Sequence, residues 1–155
     1  MSYRLNSLPT DLATFQALLP ALQDSPEGAV AACLAALHLL THDTEAGKRA
    51  LTLLHEGVSR TTIQRAERQL AQHPHLPRSY FLGTSPEGGY ALPPTLELDL
   101  TENPYSGSRD KGQLKLFVAC SGADSPRPVT TKRRDDGSWY AHEWSSLVVG
   151  IRPPK

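Results

Sequence analysis

Between two runs of alternating apolar residues the chain carries Cys120-Ser121-Gly122-Ala123-Asp124-Ser125-Pro126-Arg127-Pro128, its densest group of side chains suited to chemistry. Ser121 and Ser125 offer hydroxyls, Gly122 allows close backbone approach, and Arg127 can hold a carboxylate or phosphate bidentately. With Tyr105 and His142 as further walls, Ser121, Asp124, Ser125 and Arg127 outline a pocket for a small anionic ligand. The same residue types are also the ordinary material of a tight turn, in which Asp124 bonds the backbone and Arg127 pairs with Asp124. A ligand site requires Arg127 to face a concavity instead.

Catalysis asks for more than a polar loop. Ser121 or Ser125 with His142 and Asp124 supplies the residue types of a nucleophilic triad, but the chain has no Gly-x-Ser-x-Gly elbow to present the serine. His38 and His42 fall four apart, with His73 and His75 further on, yet the His-Glu-x-x-His spacing of a zinc helix is missing. Histidines near a helix C-terminus are favoured by its dipole without any metal. Ser85-Pro86-Glu87-Gly88-Gly89-Tyr90 matches neither a phosphate loop nor a dinucleotide fingerprint, and reads as a turn. Lys132-Arg133-Arg134 is followed at once by Asp135-Asp136, the pattern of a solvated hairpin tip. With no converging acid, base and nucleophile, the expectation is a non-enzymatic protein-interaction module without metal or cofactor. A small-anion binder or enzyme with its pocket at Ser121–Arg127 is the alternative.

Composition narrows the partners. Lys plus Arg and Asp plus Glu number 16 each, so no net field draws a polyanion or an anionic membrane. The expected partner is a protein or a second copy of the chain, not nucleic acid and not a membrane. Two cysteines, Cys33 in an apolar helical run and Cys120 at a strand end, make no disulfide framework and fit a reducing cytoplasm. The first residues, Met1-Ser-Tyr-Arg-Leu-Asn, lack the features of a secretory signal. The most apolar window, Ala29 to Leu40, is interrupted by His38 and is shorter than the roughly 20 residues a bilayer span needs.

Two kinds of element must position these residues. Leu8, Leu12, Phe15, Leu19 and Leu22 form one helical stripe, with Thr10 as its expected cap. Ser25-Pro26 opens a second helix, apolar nearly all round and therefore central. A third is predicted over Thr44 to His55, with Ala46, Ala50, Leu53 and Leu54 inward and Gly57 as its stop, and a fourth over Ser59 to Gln72, with Ile63, Ala66 and Leu70 inward. At His73-Pro74-His75-Leu76-Pro77 the period changes from about 3.6 to 2. Leu96, Leu98 and Leu100 alternate with polar residues, as do Leu114, Leu116, Val118 and Cys120. Val129 to Arg134 and Ser138 to Trp144 flank an Asp-Gly hairpin signal, and Leu147 to Ile151 can add a last short strand. On that strand alternation puts Trp139 on one face, with Tyr140 and Trp144 on the other. The fold class is α+β: a small bundle of about four helices (residues 1–73) packed on an antiparallel meander of four to five strands (residues 74–155), in one compact unit.

Pro77-Arg78-Ser79-Tyr80-Phe81, Gly83 to Glu87, Tyr90, Asn103-Pro104-Tyr105-Ser106, Lys115-Leu116-Phe117, Ser121 to Pro128, Trp139 and Gly150-Ile151-Arg152 together resemble a family of uncharacterised bacterial proteins. The resemblance covers the second half of the chain. It implies a bacterial origin and a shared fold, and transfers no site.

Overall fold

The computed structural model describes residues 1–155. The first half of the chain holds four helices: α1 (Leu12–Leu22), α2 (Pro26–His42), α3 (Thr44–Leu54) and α4 (Arg60–Gln72). Each begins where a short polar side chain accepts from the backbone N–H three residues on: Asp11 from Thr14, Ser25 from Gly28, Asp43 from Ala46 and Ser59 from Thr62. Such caps satisfy donors that have no partner inside the first turn, and each stabilises by about 1 kcal/mol. Asp11 takes the place expected of Thr10, its Oδ1 lying 2.7 Å from Thr14 N, because a carboxylate also answers the positive end of the helix.

Helix α2 is central, with Pro26 to Leu40 buried throughout. Against it α3 turns Gly47, Ala50, Leu51 and Leu54 inward, a stripe rotated from the expected Ala46, Ala50, Leu53 and Leu54. Gly47 causes the rotation. A Cβ there would fall 2.3 Å from the Leu40 Cα, so only glycine lets the two backbones close. Helix α3 stops at Leu54 with His55 extended, two residues ahead of Gly57.

The strands are β1 (Ser2–Leu5), β2 (Leu96–Thr101), β3 (Gly107–Ser108), β4 (Gln113–Val118), β5 (Arg127–Arg133) and β6 (Trp139–Glu143). They form one antiparallel sheet in the order β1-β2-β4-β5-β6, with β3 beside β4. The molecule is therefore α+β, with helices on one side of a six-stranded antiparallel sheet where four to five strands were expected, the added one being β1 from the start of the chain. Leu96, Leu98 and Leu100, Leu114, Leu116 and Val118, Val129 and Thr131, and Trp139 and Ala141 are buried on the helical side. One core joins them to α2.

Two departures come from particular contacts. The segment Leu147 to Ile151 is not a strand: Ser145–Val148 form a 3-10 turn with Leu147 and Val148 buried. The carbonyls a neighbouring strand would use are taken instead by Arg127 and Tyr80. In β6 the register steps from Ala141 to Glu143 between Thr131 and Thr130, leaving His142 as the extra residue of a bulge. The bulge resets the alternation. Trp144 thereby returns to the buried side with Trp139, and Tyr140 is left half-exposed on the outer face.

Candidate functional site

Strands β2 and β4 pair only through Leu100 with Val118 and Thr101 with Phe117. Beyond those residues they part, and the segment after a 3-10 turn (Leu76–Tyr80) fills the gap. Leu82 N donates to Glu97 O at 2.9 Å, Ala119 N to Asp99 O at 3.0 Å and Ser121 N to Ser79 O at 2.8 Å. The result is a cavity of about 220 Å³ lined by Ser79 to Thr84 and Ala119 to Ser121. Cys120 lies just past the end of β4 at this cavity, half-buried and packed against the core from outside the strand.

The cavity's polar groups are occupied by one another. Ser79 Oγ donates to Leu76 O at 2.6 Å and lies 3.3 Å from Cys120 Sγ. Thr84 Oγ1 donates to Phe81 O at 2.7 Å and meets Ser121 Oγ at 2.8 Å, while Ser121 Oγ also reaches Ser79 O at 3.1 Å. No imidazole or carboxylate stands among the lining residues, so neither Cys120 nor a serine here has a base to activate it. Sequence reasoning did not single out Ser79 or Thr84 as companions of Ser121. Only their hydroxyls, each three residues beyond a carbonyl it can bond, carried a signal.

The remaining loop residues support the fold from below and from the side. Gly122 is buried, and a Cβ on it would fall 2.4 Å from the Tyr90 hydroxyl and 2.7 Å from Ile151 Cγ2. Tyr90 itself is buried at φ 57°, a conformation uncommon for any residue other than glycine. Three contacts hold it there: Arg78 Nε donates to Tyr90 O at 3.0 Å, Tyr90 Oη donates to Arg152 O at 2.7 Å, and His75 stacks on its ring at 5.0 Å. Burial holds the Tyr90 phenol above its ordinary pKa and His75 below its own.

Arg127 and Asp124 do not pair, contrary to the turn expected from sequence. Arg127 is on the helical side of β5, where its guanidinium donates to the carbonyls of Ser146 at 2.9 Å, Val149 at 2.6 Å and Gly150 at 3.2 Å. Beside them Tyr80 Oη donates to Leu147 O at 2.6 Å, and burial raises the Tyr80 phenol well above its usual range. Asp124 pairs instead with Arg152 at the surface, and Ser125 is exposed next to it.

Tyr105 and His142 lie elsewhere. Tyr105 is 92% exposed on the turn before β3, and His142 is on the outer face of β6, where its ring lies 5.3 Å from His55. Of the six residues singled out from sequence, only Ser121 lines the cavity.

The turn at Asn103-Pro104-Tyr105-Ser106 is closed by its own hydrogen bonds. Asn103 Oδ1 accepts from Tyr105 N at 2.8 Å and from Ser106 Oγ at 3.4 Å, while Ser106 Oγ accepts from Asn103 N at 2.9 Å. Ser106 N closes the turn on Asn103 O at 3.1 Å, and Ser106 O ties it to Lys115 N at 2.8 Å. Gly107, at φ 99°, then turns the chain into β3, and a Cβ there would strike Gln113 O at 2.6 Å.

The histidines form pairs without a third ligand. His38 and His42 rings lie 4.5 Å apart, those of His73 and His75 5.8 Å, and no group of three or more His, Cys, Asp or Glu side chains is placed to hold a metal ion. No helix is long and apolar enough to cross a membrane. No curated protein and no solved structure matches the chain. A family model does, over residues 7–155, and the chain belongs to that family, described as Domain of unknown function (DUF6935).

Proposed function

We propose that the protein is a non-enzymatic protein-interaction module whose contact point is the Asn103–Ser106 turn. The observation that carries this is Tyr105: a tyrosine 92% exposed on a turn held by hydrogen bonds at Asn103 and Ser106. An exposed tyrosine supplies a large contact area with only two side-chain torsions to fix, which is why tyrosine is enriched among residues that dominate interfaces. The ligand alternative is disfavoured by Arg127, which would have to leave three backbone carbonyls to reach an anion. A bacterial, cytoplasmic setting belongs to the same proposal; the two unbridged cysteines support the reducing compartment.

Native mass spectrometry of tagged protein recovered gently from bacterial lysate tests it. A stoichiometric protein companion is expected with wild type and is expected to be lost with Tyr105→Ala at unchanged thermal stability. A small bound mass that persists in Tyr105→Ala and disappears in Arg127→Ala would overturn the proposal.

A further inference from the structure

The sheet ends in β1 on one side and β6 on the other, and only the β6 edge is covered. There Trp139 N donates to Gln23 O at 2.7 Å, Ala141 is buried, and the His55 ring, from the turn after α3, lies 4.8 Å from the ring of Tyr140. On β1, by contrast, Ser2 and Arg4 are exposed, and outside the β1–β2 ladder no backbone bond reaches either of them. An open edge is a template for a further strand.

The phase of the ladder decides what that edge offers. The Met1 amine donates to Leu100 O at 2.9 Å and Leu100 N to Met1 O at 2.8 Å, so Met1 and Leu100 are a bonded pair. Bonded pairs alternate along an antiparallel ladder, which makes Tyr3 with Leu98 and Leu5 with Leu96 the next two. The far side of β2 agrees: the carbonyls of Glu97 and Asp99 turn away from β1, to Leu82 N and Ala119 N. Ser2 and Arg4 therefore point their N–H and C=O groups outward, with no partner in the fold.

We propose that a second copy of the chain fills this edge, the two β1 strands pairing antiparallel about a two-fold axis at Tyr3 to make one continuous sheet. The proposal goes beyond the Tyr105 contact and does not depend on it. Register selects the arrangement. Ser2 against the second copy's Ser2 leaves Arg4 unused, and Arg4 against the second copy's Arg4 sets like charges opposite, whereas Ser2 against the second copy's Arg4 satisfies every outward group. Charge agrees with that register. On the outer face Arg4 stands beside Glu97 and Ser2 beside Asp99, so each row across the joint reads Glu97, Arg4, the second copy's Ser2, the second copy's Asp99. Strands are about 4.8 Å apart and serine is short, so the guanidinium can reach across it to the aspartate. Within one chain the same groups are held loosely, Arg4 at 3.9 Å from Glu97 and Asp99 at 4.0 Å from the terminal amine. On the helical face the half-buried Tyr3 meets its copy as a non-hydrogen-bonded pair, where opposed side chains stand closest. The joint is short, so the dimer dissociates on dilution.

Sedimentation velocity on the full chain tests the proposal. A reversible monomer–dimer equilibrium is expected, with its midpoint between about 1 µM and 1 mM. Ser2→Pro removes only an outward N–H, so it should raise that midpoint by about tenfold or more at unchanged thermal stability. Arg4→Glu should weaken the dimer as well, and Arg4→Glu combined with Asp99→Arg should restore it. Tyr105→Ala should leave the dimer intact, so failure of this joint and failure of the Tyr105 contact are told apart. A chain that stays monomeric over the whole range, a dimer indifferent to both Ser2→Pro and Arg4→Glu, or a dimer abolished by Tyr105→Ala would each overturn the proposal.

Discussion

Two turns of similar composition, one before β5 and one before β3, use their polar residues in opposite ways. In Cys120–Arg127 the Ser121 hydroxyl and the Arg127 guanidinium bond backbone that belongs to other segments: Ser79 on one side, Ser146, Val149 and Gly150 on the other. In Asn103–Ser106 the polar atoms bond within the turn itself, and the large side chain they carry is left outside. The first turn fastens distant pieces of chain, and the second presents one residue. A polar loop is thus no guide to binding until the destination of each hydrogen bond is known, because a donor already holding backbone carbonyls must give up those bonds before it can hold a ligand.

Gly122→Ala should separate the two turns most sharply. Its new methyl would meet the Tyr90 hydroxyl and Ile151, both packed beneath the loop, and about 3 kcal/mol of stability should be lost in urea unfolding. A loss within error of zero would mean that the loop can lift away and is no fastener. Next comes Arg127→Ala, which unpairs three carbonyls at once and should remove about 2 kcal/mol. Recovery of stability on adding an anionic metabolite to wild type alone would instead make Arg127 a ligand residue.

Acid should act on the same buried side. Burial, with His42 and Arg78 nearby, lowers His38 from 6.5 to about 4, and burial together with His73 and Arg78 lowers His75, which underlies the loop through Tyr90. The folded chain keeps both imidazoles neutral where the unfolded chain protonates them. Stability is therefore full above pH 6.5 and declines as pH falls toward about 4, by on the order of 1 kcal/mol at pH 5. His38→Gln with His75→Gln should flatten that decline in unfolding curves at pH 7 and pH 5. An unchanged slope would place the acid-sensitive group elsewhere. The smallest effect belongs to Tyr105→Ala, less than about 0.5 kcal/mol, because a side chain that touches almost nothing has little to lose. A loss of several times that in calorimetry would show the tyrosine packed in solution.

Much of the architecture was legible because it follows from local chemistry. Ser25-Pro26 opens α2, the Leu96-Leu98-Leu100 and Leu114-Leu116-Val118 alternations face the core, and Gly137, at φ 91°, turns the β5–β6 hairpin. Most of the departures needed a partner outside the element concerned. Gly47 joins the buried stripe of α3 only because Leu40 lies against it, and β1 exists because Ser2–Leu5 finds β2 nearly a hundred residues away. A bulge at His142 cannot be seen in a period-2 pattern, so Trp144 was placed on the wrong face. The polarity of the loop is plain from its residues, yet whether Arg127 faces a ligand, Asp124 or three carbonyls depends on where residues 145–150 fold.

Photo-crosslinking in bacterial cells, with a benzophenone amino acid in place of Tyr105 or of Ser125, tests the contrast between the two turns most directly. Both positions are exposed, so reagent access is matched. A discrete protein adduct from position 105 and none from position 125 is the predicted result. An adduct from position 125 with none from position 105 would contradict the account and return the contact to the loop.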